Sequence, residues 1–177
     1  MKKILKISIL MIIFTITITG CKKDDDLIAS IKLVSGWEKF VFEGEPYKHT
    51  NAYYDKDAHG TGAFIILMKD VITEPCTAEE YVNIFQSAQK RYLELSDFEF
   101  STIFNTKVGG RNAVEFTYTY TCTAIHTDFS ITKYKARVII ISTSPKDKYI
   151  IWGYSFESDY DTVAADFQSM IDSYRLK

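Results

Sequence analysis

The 177-residue sequence predicts an α+β fold, an antiparallel sheet with helical cover, from three observations. Apolar and polar residues alternate strictly along several runs, as half-buried strands require. Two other stretches repeat apolar residues at three-or-four spacing, the period of an amphipathic helix. The strand-like runs cluster before and between those stretches instead of alternating with helices one for one, an order that suits antiparallel pairing rather than βαβ crossovers. Aromatic residues make up 15% of the chain, which suits a strand-rich domain with an aromatic interior.

Taken in order, "WEKFVFEG" (37–44), "TNAYYDKD" (50–57) and "GAFIILMKDVI" (62–72) read as three strands. Thr77-Ala78-Glu79-Glu80 then reads as a capping box, with the threonine oxygen and Glu80 satisfying free backbone N–H groups. Behind it Tyr81, Phe85, Ala88, Tyr92 and Leu95 form one stripe, predicting a helix over about 78–95. "FEFSTIFNTKV" (98–108) reads as one strand, joined through Gly109-Gly110 to the clearest alternation in the chain. There Val114, Phe116, Tyr118, Tyr120 and Cys122 point one way, and Glu115, Thr117, Thr119 and Thr121 point to an open face. "KYKARVIIIST" (133–143) and "KYIIWGYSF" (148–156) follow, separated by the turn Ser144-Pro145-Lys146-Asp147. A second helix begins near residues 158–161, where Asp159 and Asp161 suit a helix N-terminus. Val163, Phe167, Met170, Ile171 and Tyr174 are its apolar stripe. Core packing is the simplest role for both stripes.

The helix "TAEEYVNIFQSAQKRYLEL", the charged turn leading through "GGRNAVEF", the hairpin "ARVIIISTSPKDKYIIWGYSF" and the closing helix "DTVAADFQSMIDSYRLK" resemble a PsbP-like domain over residues 36–177. That family, named for an extrinsic protein of the oxygen-evolving complex, implies an α-β-α sandwich around a twisted antiparallel sheet. Its members are mainly binding or assembly proteins, among them a nuclear-import factor that binds a small GTPase. It offers no catalytic motif to carry over, and fold alone does not assign function.

The start of the chain speaks of address. Lys2, Lys3 and Lys6 precede the uncharged run Ile7 to Ile18, a basic start with an apolar stretch of secretory-signal length. The run has no A-x-A site and ends Ile18-Thr19-Gly20-Cys21, which resembles the lipobox of bacterial lipoproteins. The resemblance implies cleavage before Cys21, whose thiol then carries a diacylglycerol and whose amine a fatty acid such as palmitate. Each buried methylene contributes roughly 0.8 kcal/mol, so two or more chains hold firmly at a membrane. Lys22-Lys23-Asp24-Asp25-Asp26 reads either as a solvated tether or, by resemblance, as the surface-export signal of Bacteroidetes lipoproteins. The expected organisation is a signal peptide over 1–20, a lipidated cysteine and charged tether over 21–35, and one domain over 36–177. The expected location is the bacterial cell envelope, facing outside the cytoplasm.

Removing residues 1–20 leaves 157, enough for one domain with its own core. Three of the 21 Lys and Arg leave with the leader, so 18 basic residues face 23 acidic ones, a balance of −5. Nucleic acid is therefore not an expected partner. Membrane contact is expected through lipid on Cys21 and not through a basic patch. Two further cysteines remain, Cys76 and Cys122. Bridged, they close a loop of about 47 residues worth roughly 4 kcal/mol on the entropy model. Spacing does not show proximity, so two separate small apolar residues is the other reading. No CxxC occurs, and no zinc site is expected.

Candidate chemistry is sparse. His49, His59 and His126 form no HExxH or other tight pair. In "YYDKDAHGTG" (53–62), Asp55, Asp57 and His59 alternate and offer ligands to a cation, yet a polar hairpin tip explains the same residues and the EF-hand spacing is missing. No GxSxG elbow is present, and "VGGRN" lacks the phosphate-loop pattern. Cys76 or Cys122 forms a dyad with His126 only if folding brings them together. The sequence therefore predicts no catalytic residue, no cofactor and no metal. The favoured function is a non-catalytic binding or assembly domain at the envelope, taking a protein or small ligand through Tyr53 and Tyr54 or the threonine face of 115–121. Two rivals stand beside it: an envelope hydrolase or metal-dependent enzyme at Asp55, Asp57 and His59, and an accessory solute-binding lipoprotein with a pocket between helix and sheet.

Overall fold

The computed structural model describes residues 29–40, 50–55, 62–92, 94–123 and 131–176. The strands are β1 (Ala29–Ser30), β2 (Trp37–Phe40), β3 (Thr50–Asp55), β4 (Phe64–Val71), β5 (Leu95–Phe100), β6 (Phe104–Val108), β7 (Arg111–Thr123), β8 (Ile131–Ser142), β9 (Asp147–Phe156) and β10 (Arg175–Leu176). The helices are α1 (Ala78–Gln89) and α2 (Tyr160–Asp172), the latter entered through a 3-10 turn, Glu157–Asp159.

One antiparallel sheet runs β2-β3-β4-β9-β8-β7-β5, with β6 also pairing β7. Helix α2 packs Phe167, Met170 and Ile171 on one face against Ile65, Leu67, Ile139 and Ile151. Helix α1 packs Tyr81, Val82 and Phe85 on the other against Phe116, Val138 and Trp152. This is the α-β-α sandwich. Because both faces are covered, the central strands read as apolar runs and not as alternations: Ile65, Ile66 and Leu67 are all buried, as are Val138 to Ile141. Full burial of a side chain such as Phe167 contributes about 1.5–3 kcal/mol.

Helix α1 starts as its capping box predicts: the Thr77 hydroxyl accepts from the Glu80 N–H at 3.1 Å, and Glu80 accepts from the Thr77 N–H at 2.8 Å. It ends at Gln89, earlier than the stripe through Leu95 suggests, because Leu95 already pairs with Cys122 in β5. The predicted strand over 98–108 is two strands: β5 and β6 both lie along β7, and Ser101 marks the break. Its N–H donates to the Thr117 carbonyl and its hydroxyl accepts from the Thr117 N–H, both at 2.9 Å.

The chain also pairs and packs upstream of residue 36. Ala29 and Ser30 pair with Leu176 and Arg175, the Lys32 N–H donates to the Ser173 hydroxyl at 2.7 Å, and Ile31, Leu33 and Val34 pack on the α2 side of the core. Trp37 closes this strap with its edge on Phe167 (ring centroids 5.7 Å apart) and its indole N–H on Asp166 at 3.0 Å. The chain thus enters at the end of the sheet that carries the β6–β7 and β8–β9 turns. There Gly109 and Gly110 have positive φ (57° and 79°), and Gly109 lies against the Tyr174 carbonyl, where a Cβ would come within 3.2 Å.

Candidate functional site

At the entry end, the β4–α1 connection is tied to the β8–β9 turn: Ile72 and Cys76 donate their N–H groups to the Lys146 and Pro145 carbonyls, both at 3.0 Å. Between Pro75–Thr77 and Glu80 on one side and residues 142–145 on the other lies an open groove of about 530 Å³. Lys148 lies fully buried beside this turn, and its ammonium donates to the Pro145 and Ser144 carbonyls at 2.8 and 3.2 Å. Asp70 is its cross-strand partner and accepts from the Tyr81 hydroxyl at 2.5 Å. Burial pushes the Asp70 carboxyl up, against the Tyr81 and Val71 hydrogen bonds and the Lys148 charge, which pull it down. The groove's polar groups already serve the fold. Thr77 and Glu80 cap α1, while Ser144 accepts from the Lys146 and Asp147 N–H groups and donates to the Asp147 carboxylate. The arrangement fastens a corner of the domain and sets up no nucleophile–base pair.

The opposite end of the same sheet is different in kind. On the α1 face a row of aromatic side chains crosses the strands: Phe40 (β2), Tyr54 (β3), Phe64 (β4), Tyr154 and Phe156 (β9), Tyr134 (β8), Tyr120 (β7) and Phe98 (β5). Successive rings touch. Phe40 meets Phe64 at 5.9 Å, Phe64 stacks on Tyr154 at 5.6 Å, and Tyr134 meets Phe156 and Tyr120 at 5.2 Å each; Tyr120 then stacks on Phe98 at 6.0 Å. Such ring pairs add about 0.5–1.5 kcal/mol each beyond burial. Most of the row is half-buried, so its rings are packed yet retain some exposure. Beside the row, Tyr54 donates to Glu38 at 3.2 Å. Burial pushes the Tyr134 phenol up to about 12 and Tyr154 higher still.

The α2 face of the outer strands is polar. Arg137 donates to both Glu115 oxygens, at 2.6 and 3.1 Å, and to Gln168 at 2.8 Å. Lys135 lies 4.5 Å from the Tyr160 ring centroid and 3.7 Å from Asp161. The threonine side of β7 is therefore not an open face: Glu115 and Thr121 are buried, and Thr117 and Thr119 are half-buried. Arginine 137 and helix α2, unseen in the alternation itself, account for the difference.

The two tyrosines proposed from sequence part company. Tyr54 joins the aromatic row, whereas Tyr53 is buried in the α2-side core. Cys76 and Cys122 are both free thiols. Cys76 lies beside Pro145, while Cys122 pairs with Thr132 at the far end of β8, ten residues from Ser142 and so roughly 33 Å along the strand. No disulfide spans that distance. Burial pushes the Cys122 thiol up, with Glu94 adding to the effect, the reverse of activation. Asp55 ends β3 and donates its N–H to Ala63 at 3.2 Å. Asp57, His59, His49, His126 and Cys21 lie outside the described residues. Among the described residues no three His, Cys, Asp or Glu side chains gather as metal ligands.

No protein-family model and no curated protein matches this chain by sequence. Solved structures do match by shape. The chain is similar to LpqN of Mycobacterium tuberculosis, with a TM-score of 0.56 and 10% identity over 84% of this chain and 83% of that one. It is similar to cyanobacterial PsbP from Synechocystis sp. PCC 6803 (TM-score 0.52, 11% identity, 90% and 99% coverage). It is similar to the Ran-binding protein Mog1p of Saccharomyces cerevisiae (TM-score 0.50, 11% identity, 84% and 90% coverage). At such identities the likeness establishes the fold: this chain has the PsbP-like α-β-α sandwich.

Proposed function

We propose that this chain is a lipid-anchored envelope protein whose domain binds a partner without catalysing a reaction, through the aromatic row at the end of the sheet farthest from its anchor. The single observation that carries the binding reading is that row, eight rings from seven strands, six of them half-buried, while the polar groups around the groove are committed to the fold. The neighbouring structures support it by what they are: LpqN is involved in cell envelope biogenesis, and Mog1p binds Ran. Tether length supports the orientation. Seven residues separate Cys21 from Ala29, eight Cα–Cα steps or at most about 29 Å of extended chain, and the strap enters at the end opposite the row. A lipid on Cys21 therefore holds the row away from the membrane, where a partner approaches from solvent.

Cell fractionation and protease shaving of intact cells test this. Wild type should partition with membranes and Cys21→Ala should not. Replacing Lys23-Asp24-Asp25 by alanines should protect the protein from shaving if the charged run carries it to the surface. Membrane attachment that survives Cys21→Ala defeats the anchor.

A further inference from the structure

Exposed charge is sorted between the two ends of the domain. At the entry end, cations gather where β10 meets the β6–β7 hairpin. The Tyr174 carbonyl accepts from the Arg175 guanidinium at 2.6 Å and lies against Gly109 at the hairpin tip. Lys107 and Arg111 stand on either side of Gly109-Gly110. Burial raises the Tyr174 phenol and Tyr149 adds to it, while the Arg111 charge pulls it down, so Arg111 is beside the same residue. Lys32 joins them, because its N–H is fixed on Ser173. All four cations are exposed, and among the described residues no ion pair holds any of them. Among the described residues of the strap, the hairpin tip, the last turn of α2 and β10, the exposed acid is Asp172, which accepts from Gln168 at 2.7 Å. The far end is the reverse: Asp97, Glu99, Glu157 and Asp161 are exposed there, and Lys135 lies 3.7 Å from Asp161.

Part of this cluster serves the fold. Arg175 and Lys32 lie at the C-terminus of α2, where cations offset the helix dipole, and Arg175 also donates to the Asp172 carbonyl at 3.2 Å. Helix capping does not explain Lys107 and Arg111, which belong to a neighbouring hairpin and stand beside two like charges at a cost in self-repulsion. The tether leads to the same place: Ala29 pairs with Leu176, next to Arg175, and at most about 29 Å of chain separates it from Cys21. We propose that this corner is a docking face for an anionic phospholipid bilayer, with Lys32, Lys107, Arg111 and Arg175 set among the headgroup phosphates. Near such a surface each Lys or Arg strengthens attachment about fivefold. A short tether keeps the face at high local concentration above the bilayer, so individually weak contacts suffice. Docked in this way, the domain stands with its acidic, aromatic end away from the lipid. The chain's net negative charge conceals the patch, because composition averages over both ends. The docking face is a second contact of the anchored protein with its membrane, and for its tether it rests on the lipid-anchor reading.

Lysine acetylation rates, read by mass spectrometry, test this on the full protein purified from cell membranes. The protein is placed on vesicles of phosphatidylcholine alone and on vesicles that also carry phosphatidylglycerol. On the anionic vesicles Lys32 and Lys107 should react at least about fivefold more slowly than on the neutral ones. Lys133, exposed at the far end, should react alike on both. Protection should vanish in about 1 M salt, where screening acts within about 3 Å. Arg111→Ser, which removes a cation but no acetylation site, should weaken the protection of Lys107 about fivefold while the circular dichroism stays native. Equal rates on the two vesicles, equal protection of Lys133, or protection that survives high salt overturns the docking face. Attachment to the neutral vesicles, compared between wild type and Cys21→Ala, reports the anchor by itself. A protein that leaves neutral vesicles yet is protected on anionic ones keeps the docking face and loses the anchor; the converse result keeps the anchor alone and overturns the docking face.

Discussion

Lys148 stands directly across β9 and β4 from Asp70, and both are buried. The lysine holds the β8–β9 turn by two carbonyls, and the aspartate holds α1 through the Tyr81 hydroxyl. One cross-strand pair therefore ties a hairpin and a helix to the same corner. Removing the Lys148 ammonium leaves the Ser144 and Pro145 carbonyls without their donor, which costs about 1–3 kcal/mol. Lys148→Met should lose that much at pH 7 by urea denaturation. Asp70 already has a raised folded-state pKa, so its contribution is fully present at low pH and fades as pH rises through that value. The Lys148→Met penalty should therefore shrink as pH falls and Asp70 takes up its proton. Adding Asp70→Asn should cost less than the sum of the two single changes.

Alkaline stability follows from the aromatic interior. Burial raises the phenols of Tyr81, Tyr118, Tyr120, Tyr154 and Tyr174, and holds Tyr134 up at about 12 against an ordinary 10.0. A raised folded-state pKa gives stability that is intact below pH 10 and is lost as pH climbs toward the folded value. Absorbance at 295 nm should show these tyrosines ionising only together with unfolding, in one cooperative step well above pH 10. A smooth titration centred at 10 while the circular dichroism stays native would contradict the packing described here.

The fold was largely legible in the sequence, and the reasons for the misses are physical. Alternation in β7 and the stripe of α2 are local signals: the first sorts its residues between two faces, though the threonine face is covered, and the second marks buried residues. The split between β5 and β6 depends on Ser101 bonding to Thr117, sixteen residues away, which no local period encodes. Strands β1 and β10 are two residues each and have no period to detect. Tyr53 reads as exposed only if one sheet face is open, and helix α2 closes it. Gln89 shares the buried face of α1 with Phe85, but a polar residue at a core spacing reads as surface until the structure shows otherwise.

Close packing of α2 makes Gly153 a sensitive position. A Cβ there would lie 3.3 Å from two Phe167 ring atoms and 3.4 Å from a third. Phe167 is fully buried, so the ring has little room to yield. Overpacking of this kind typically costs 1–3 kcal/mol, against about 0.4–1 kcal/mol gained by restricting the unfolded chain. Gly153→Ala should therefore be net destabilising by about 1–2 kcal/mol. Gly153→Ala combined with Phe167→Leu should recover part of the overpacking strain, at the expense of aromatic contact with Trp37.

The strap decides where the tether ends. Ala29 is buried, and Trp37 places its indole between Phe167 and the Asp166 carboxylate. The strap from Ala29 to Trp37 is thus packed on the domain. Limited proteolysis of the full chain should cut before Ala29 and spare the bonds between Ala29 and Trp37. A chain starting at residue 36 should lose the β1–β10 pairing, the Lys32–Ser173 hydrogen bond and the apolar contacts of Ile31, Leu33 and Val34. At roughly 0.5–1.5 kcal/mol for a hydrogen bond and more for each apolar side chain, the deficit should reach about 3 kcal/mol or more by chemical denaturation. Trp37→Phe, which keeps a ring but removes the donor to Asp166, should cost about 1 kcal/mol and leave the cleavage pattern unchanged. Rapid cleavage between residues 30 and 36 in the wild type would contradict the packing of the strap described here.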